Sequence, residues 1–226
     1  MILGLCCAKN ASSWIERVLE SHLRICDHVL FLDDGSTDGT GDIALTFDRV
    51  IYFRQDDLPR NEARDRNALF AHAHVYEPDW CWWFDGDETL WRGKREDIVN
   101  VPRDKNTLST QLLDLWGDKD HYAADWSHPK LHIFRYLPEL CRGYQWHGRG
   151  PHQVHCGGRP RLDAYQSPDR IASTPIVELH WSWMTPRACA AKLAQYKEWD
   201  PAFTRFAPYR RFERAPRDIR RVADYE

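Results

Sequence analysis

The run Trp80-Cys81-Trp82-Trp83-Phe84 leads directly into Asp85-Gly86-Asp87-Glu88. A bulky apolar segment of strand length thus ends in three carboxylates and a glycine. Carboxylates packed this closely repel one another, so a cation is their natural partner. Hard oxygen ligands of this kind suit Mg2+ or Mn2+ rather than zinc. The glycine has no Cβ and lets a ligand approach the backbone. A second acidic group, Asp33-Asp34-Gly35-Ser36-Thr37-Asp38-Gly39-Thr40, follows another apolar run, His28 to Leu32. An ionised carboxylate only accepts hydrogen bonds, so this group could receive them from a base or ribose. Its Gly, Ser, Thr and Asp content fits a polar turn equally well. A calcium loop starting at Asp34 fails, because its twelfth position is Leu45 where a bidentate Glu is required.

The elements around these acids read as an α/β alternation. Strands are expected over Ile2 to Cys7, His28 to Leu32, Val50 to Phe53 and Trp80 to Phe84. Helices are expected between them. One opens on a Ser13-Trp14-Ile15-Glu16 capping box and runs to Leu23, a short one covers Asp42 to Phe47, and a longer one spans Asn61 to Val75. That pattern implies a mostly parallel central sheet flanked by helices. Ligands of such sheets bind outside the carboxyl ends of the strands, where both acidic groups fall. The second half is less regular. Thr107 to Leu115, Leu131 to Tyr136 and Ile176 to Trp181 read as strands, Tyr144 to Pro160 as a loop, and Thr185-Pro186 as the start of a helix reaching Trp199. The expected organisation is one domain over residues 1–200, with halves at 1–90 and 91–200, and an Arg-rich tail at 201–226.

Composition narrows the class. A net charge of −3 and 42% hydrophobic residues describe an ordinary globular chain with no global pull toward nucleic acid or membrane. The tail is the exception: its arginines form either a solvated terminal helix or a polyanion patch. The seven cysteines are odd in number and include no C-x-x-C, which points to free buried thiols and a cytoplasmic location. No apolar run approaches the ~18 residues of a spanning helix, and the apolar N-terminus lacks the basic region of a signal peptide.

Cys7-Ala8-Lys9-Asn10, Phe31-Leu32-Asp33-Asp34-Gly35-Ser36-Thr37-Asp38-Gly39-Thr40, then Arg64 and Asn67 before Trp82-Trp83-Phe84-Asp85-Gly86-Asp87-Glu88 together resemble family 2 glycosyltransferases of the GT-A, Rossmann-like fold. The resemblance implies transfer of a sugar from a nucleotide-sugar, such as a UDP- or GDP-sugar, usually with Mn2+ or Mg2+ and with inversion. It implies that Asp33 or Asp34 contacts the nucleoside, that Asp85 lies beside the ribose or donor sugar, and that Asp87 holds the cation. Lys9 and Arg64 become candidates for the nucleotide crevice. His180, ending an apolar strand, resembles the histidine that completes the metal shell. Trp181 and Trp183 would line the acceptor cleft.

Related proteins often carry a His-Glu pair where this chain has His152-Gln153. Gln cannot act as a base, so His152, whose imidazole titrates near neutrality, is the candidate proton acceptor. The acceptor itself stays open: a saccharide, a lipid-linked glycan or another hydroxyl compound, with DNA not excluded.

Two rival readings exist. Asp85-Gly86-Asp87-Glu88-Thr89-Leu90 fits the signature of haloacid-dehalogenase-type phosphatases, with Asp85 as nucleophile and Asp87 as acid/base, but leaves the Asp33 to Thr40 segment unexplained. A non-enzymatic polyanion-binding module would rely on the Arg-rich tail. Zinc binding by His147, His152, His155 and Cys156 matches no common module in its spacing.

Overall fold

The computed structural model of the chain describes residues 1–55, 61–141, 146–148, 154–156, 167–182, 184–199 and 214–226. Its first half alternates strand and helix: β1 (Ile2–Ala8), α1 (Ile15–His22), β2 (His28–Asp33), α2 (Thr40–Ala44), β3 (Val50–Arg54), α3 (Glu62–Tyr76) and β4 (Trp80–Asp85). The second half continues with β5 (Glu88–Arg92), α4 (Glu96–Val99), β6 (Thr107–Asp114), β7 (His121–Ala123), β8 (His128–Arg135), α5 (Pro138–Cys141), β9 (Trp146–Gly148), β10 (Val154–Cys156), β11 (Ile171–His180), α6 (Pro186–Trp199) and β12 (Ile219–Arg221).

Eight strands make the main sheet, in the order β3-β2-β1-β4-β8-β6-β11-β5. The first four are parallel, β6 and β11 are parallel, and the remaining pairings are antiparallel. From β1 the chain winds outward to β2 and β3, then returns to place β4 on the other side of β1. The sheet's switch point therefore lies between β1 and β4, and both acidic groups open there. In register, Ala8 faces Asp33 on one side while Cys7 faces Asp85 on the other. The two acid-bearing strand ends thus stand two strand spacings apart, roughly 10 Å.

The strand β4 is apolar from Trp80 to Phe84 because both of its faces are covered. Trp80, Trp82 and Phe84 join the cluster under α1, whose Ile15, Val18, Leu19 and His22 recur at i, i+3, i+4 and i+7. Cys81 and Trp83 point the other way, into the cluster of Leu69, Phe70 and Ala73 from α3. Close packing explains the glycine in mid-β1: a Cβ on Gly4 would stand 2.9 Å from both Phe84 Cε1 and Val29 Cγ2.

The second half closes on itself. The strand β5 leaves β4 after only Gly86 and Asp87, yet it pairs with β11 at the far edge of the sheet. The strands β4-β8-β6-β11-β5 must therefore curl until the last returns beside the first. The tail contributes β12, which adds antiparallel to β7.

Several sequence expectations need correction. The Ser13 to Glu16 capping box does not form; Trp14 occupies the N-cap without a side-chain hydrogen bond, and the carbonyl of Ala11 takes the Trp14 and Ile15 amides. The helix after the Asp33 group starts at Thr40, earlier than Asp42, and β8 and β11 start at His128 and Ile171 rather than Leu131 and Ile176. The 144–160 segment, read as loop, contains the paired strands β9 and β10. The tail end forms β12 where a terminal helix was expected. The start of α6 is as read, with the Ala188 amide donating to Thr185 Oγ1 at 3.1 Å.

Trp82 is fully buried, and its Nε1 has no hydrogen-bond partner. Leaving a donor unpaired costs about 1–3 kcal/mol, comparable to the apolar packing forfeited when indole is trimmed to phenyl. Trp82→Phe is accordingly expected to stay within about 1 kcal/mol of the parent in urea denaturation, whereas Trp82→Ala loses about 3–5 kcal/mol. Equal losses for the two variants would contradict this balance.

Candidate functional site

The loop after β2 is built by its own acids. Asp33 is fully buried and accepts from the Ser36 amide (2.7 Å), the Tyr52 hydroxyl (2.8 Å) and the Arg54 guanidinium (3.0 Å). Asp38 accepts from the Ser12 amide and from Thr40, bonds that outweigh burial and hold its pKa at about 2. Asn10, at φ 52°, takes the Thr37 amide on its side chain, and its own amide donates to Ser36 Oγ. These contacts tie the β1–α1 loop to the β2–α2 loop. Asp33 is therefore occupied in holding the loop, and Asp34 is the acid that reaches the crevice.

Asp34 Oδ1 accepts from Gln55 Nε2 and from Arg64 at 3.3 Å. The Arg64 guanidinium also grips Asp65, which shares Gln55 Nε2 at 2.9 Å. Asn61 caps α3 by accepting the Arg64 amide, which fixes the turn that presents Arg64 and Asp65. Burial and the nearby Asp65 charge raise the Asp34 pKa against the pull of Gln55, Arg64 and Lys9. The crevice is lined by Lys9, Asp34, Asp65, Arg66, Trp83 and Asp85. Lys9, Asp34, Arg64 and Asp85 thus gather as the sequence implied. Gln55, Asp65 and Arg66 join them unforeseen, although Asp65 adjoins Arg64 on the same helical turn.

On the other side of β1, the turn Asp85-Gly86-Asp87-Glu88 splits its acids three ways. Glu88 is buried, accepts the Asp85 amide at 3.0 Å, and pairs with Lys130 Nζ at 2.5 and 2.6 Å. Lys130 also reaches Asp85 at 3.3 Å. Burial raises the Asp85 pKa and Lys130 lowers it; Lys130 wins, since half of the Asp85 side chain is open to solvent. Asp87 points the opposite way. Its Oδ2 takes Lys192 Nζ at 2.8 Å, faces His180 Nε2 at 3.5 Å and receives the Ser182 hydroxyl. Burial opposes its ionisation, but Lys192 and His180 hold its pKa well below the carboxylate range. His180 Nδ1 sits 2.7 Å from Asp114 Oδ1, and the two acids outweigh burial to raise the imidazole pKa to about 9.

Asp87 and His180 could hold a divalent cation if it displaced the Lys192 ammonium that now pairs with Asp87 at 2.8 Å. A carboxylate on the far nitrogen of a histidine orients the ring and makes it a better ligand, and Asp114 does this for His180. Asp87, drawing an ammonium, an imidazole and a hydroxyl to one oxygen, behaves as a carboxylate that seeks positive charge. Another group, Glu88, His132 and Glu178, also brings ligand-type atoms within 4.8 Å. Its charge is already compensated: Lys130 serves Glu88, while Glu178 accepts from His132 (2.7 Å), His22 (3.3 Å) and Thr110 (3.0 Å). That group lies inside the curled strands as a support beneath the acid turn.

Trp181 follows His180. Its amide donates to the Asp87 carbonyl at 3.0 Å and its Nε1 to Thr89 Oγ1 at 2.9 Å. It therefore borders the Asp87 side of the turn. His152, Trp183 and the arginines at 205, 210 and 211 lie outside the described residues, as do the side chains of the proposed zinc group. Cys6, Cys26 and Cys81 are buried free thiols.

Comparison with known proteins agrees with this geometry. The family model described as glycosyl transferase family 2 matches residues 5–153, a stretch that contains both acidic groups and leaves no part for the phosphatase reading. Uncharacterised proteins of Mycobacterium tuberculosis and Mycobacterium bovis are each 24% identical over 217 residues, covering 89% of this chain and 51% of theirs. The chain thus spans about half the length of these curated relatives. The crystal structure of Staphylococcus aureus TarS 1–349 superposes with a TM-score of 0.56 at 14% identity, covering 88% of this chain and 66% of that one. Its complex with UDP-GlcNAc gives 0.55 at 13%, covering 88% and 67%. The fold is GT-A.

Gly86 separates Asp85 from Asp87, and a Cβ there would stand 2.7 Å from Ala8 Cβ. Gly86→Ala is expected to cost about 1–3 kcal/mol and lower Tm by about 2–4 °C per kcal/mol. Adding Ala8→Gly removes the blocking methyl and restores most of the loss. A double variant no better than the single one would show that this close approach is not what requires glycine.

Proposed function

The chain belongs to glycosyl transferase family 2, and from that membership we propose that it transfers a sugar, of the hexosyl type, from a nucleotide-sugar to an acceptor hydroxyl. One observation carries the reading: Asp34 and Asp85, from strands on either side of β1, line one crevice with Lys9, while Arg64 pairs with Asp34 and Asp87 follows two residues after Asp85 on the same turn. A UDP-sugar is the first donor to test, because the similarly folded TarS was solved with UDP-GlcNAc; a GDP-sugar is the second.

The residues divide the work. Asp34, with its proton affinity raised, accepts from the nucleoside, and the paired Arg64 and Asp65 set its position. Lys9 and Arg66 offer positive charge to the phosphates. Asp85, half open at the crevice and kept ionised by Lys130, accepts from the ribose or donor-sugar hydroxyls. Asp87 and His180 would hold Mn2+ or Mg2+, which when bound stabilises negative charge developing on the departing diphosphate. Lys192 beside Asp87 adds a fixed positive charge on the same side. The proton of the acceptor hydroxyl is assigned to His152 on sequence grounds, in a single displacement that inverts the anomeric centre.

Calorimetry with UDP, GDP, CDP and dTDP, with and without Mn2+, tests the reading. At least one nucleotide is expected to bind at least tenfold more tightly with the metal, about 1.4 kcal/mol; four nucleotides indifferent to Mn2+ would end the proposal of a metal-dependent transferase. Asp87→Ala is expected to abolish the metal enhancement while far-UV circular dichroism stays unchanged. Asp34→Ala should weaken the nucleotide itself about tenfold or more, through the loss of a hydrogen bond to a charged group.

A further inference from the structure

Beside the Asp87 side of the turn lies a surface that the donor reading leaves unused. Trp14, at the N-cap of α1, and Trp181, at the end of β11, are both half-buried, and their rings meet at 5.5 Å between centroids and 31° between planes. The guanidinium of Arg17, one helical turn on from Trp14, stands 5.9 Å from the Trp14 centroid and 5.3 Å from that of Trp181. Arg17 is exposed and has no carboxylate partner among the described residues. Two indoles and a guanidinium so placed form a tilted, partly stacked and half-exposed aromatic pair with a cationic rim, and Trp181 is bonded through its amide to the carbonyl of Asp87.

Each part suits a different portion of one ligand. The C–H face of a pyranose or polyol packs on indole, which offers area at little entropic cost. Arg17 is already oriented by the rings, so its forked donors are pre-arranged for a phosphate or carboxylate. The first turn of α1 lacks a side-chain cap, so its amides add partial positive charge, offset in part by Glu16. A plain aromatic plug would not need an exposed cation over both rings, and a neutral acceptor would not use one.

We propose that Trp14, Trp181 and Arg17 form the acceptor subsite, and that the acceptor is a sugar or polyol bearing an anionic group, phosphate or carboxylate. This rests on the transferase reading and names its acceptor class. No covalent step is added: the anion is held, and the neighbouring hydroxyl is the one glycosylated.

The test uses the full chain saturated with UDP and Mn2+, so that added anions cannot occupy the nucleotide crevice. Glucose, glucose 6-phosphate and glucuronate are titrated by calorimetry. The charged sugars are expected to bind about tenfold or more tightly than glucose, the preferred one distinguishing phosphate from carboxylate. Arg17→Gln, at an exposed position, removes that preference and leaves the UDP affinity within twofold. Trp14→Ala weakens all three sugars, and Trp14→Phe, which keeps the packing, retains part of the binding. Equal binding of charged and neutral sugars, or a preference that survives Arg17→Gln, overturns the proposal while leaving the donor site standing. Failure of UDP to bind the parent protein overturns the transferase reading, and this one with it.

Discussion

Everything in the second half depends on a set of charges enclosed by the curled strands. Glu88 on β5, Lys130 on β8, Thr110 on β6 and Glu178 on β11 meet across the sheet, with His132 and His22 closing the group. Taking such groups from water costs several kcal/mol each, and the cost is offset only if each finds its partners. The acids and the lysine do, although His132 Nδ1 is buried without a hydrogen-bond partner: burial alone would neutralise Glu178, but the two histidines keep it ionised, and three carboxylates keep Lys130 charged. Geometry follows from this requirement. The curl cannot open without stranding a charge, and β5 must return beside β4, which fixes both ends of the Asp85 to Glu88 turn.

The turn can then present two acids in opposite directions. Asp85 leans toward β8 and the crevice, while Asp87 leans toward β11 and α6. Apolar packing holds the strands, but it has no means of choosing where a carboxylate points; the cations do that. Lys130 and Lys192 come from elements 45 and 105 residues distant from the acids they orient. Rigid support of this kind lets a site apply its charge without reorganising during reaction.

The first half was largely legible in the sequence because its signals are local. Each parallel strand is an apolar run ended by an acid or turn residue, and α1 and α3 show apolar positions at helical spacing. The second half resisted for a physical reason. Strands such as His128 to Arg135 carry Pro129, Lys130 and His132 in positions that look solvent-facing, yet Lys130 and His132 point into the enclosed polar group. Alternation reveals a face only when the hidden side is apolar. The edge strand β5 was missed because its partner, β11, lies nearly ninety residues on. Within the site, adjacent acids were legible as a pair but not as a division: Asp33 and Asp34 differ only in which neighbours fold over them, Tyr52 and Arg54 against Gln55 and Arg64. The capping box failed because the carbonyl of Ala11 took the Trp14 and Ile15 amides, which moved the N-cap from Ser13 to Trp14.

The cysteines carry a further consequence. Among those whose side chains are described, Cys7 alone is not buried, and it lines the crevice beside Lys9 and Asp85. The others sit in the apolar clusters, where Cys6, Cys26 and Cys81 are held as neutral thiols by burial. The chain therefore carries a native covalent reporter at this crevice. Among the described side chains a maleimide reaches Cys7 first, and whatever occupies the crevice shields that thiol, so occupancy can be followed by the mass of the peptide that carries Cys7.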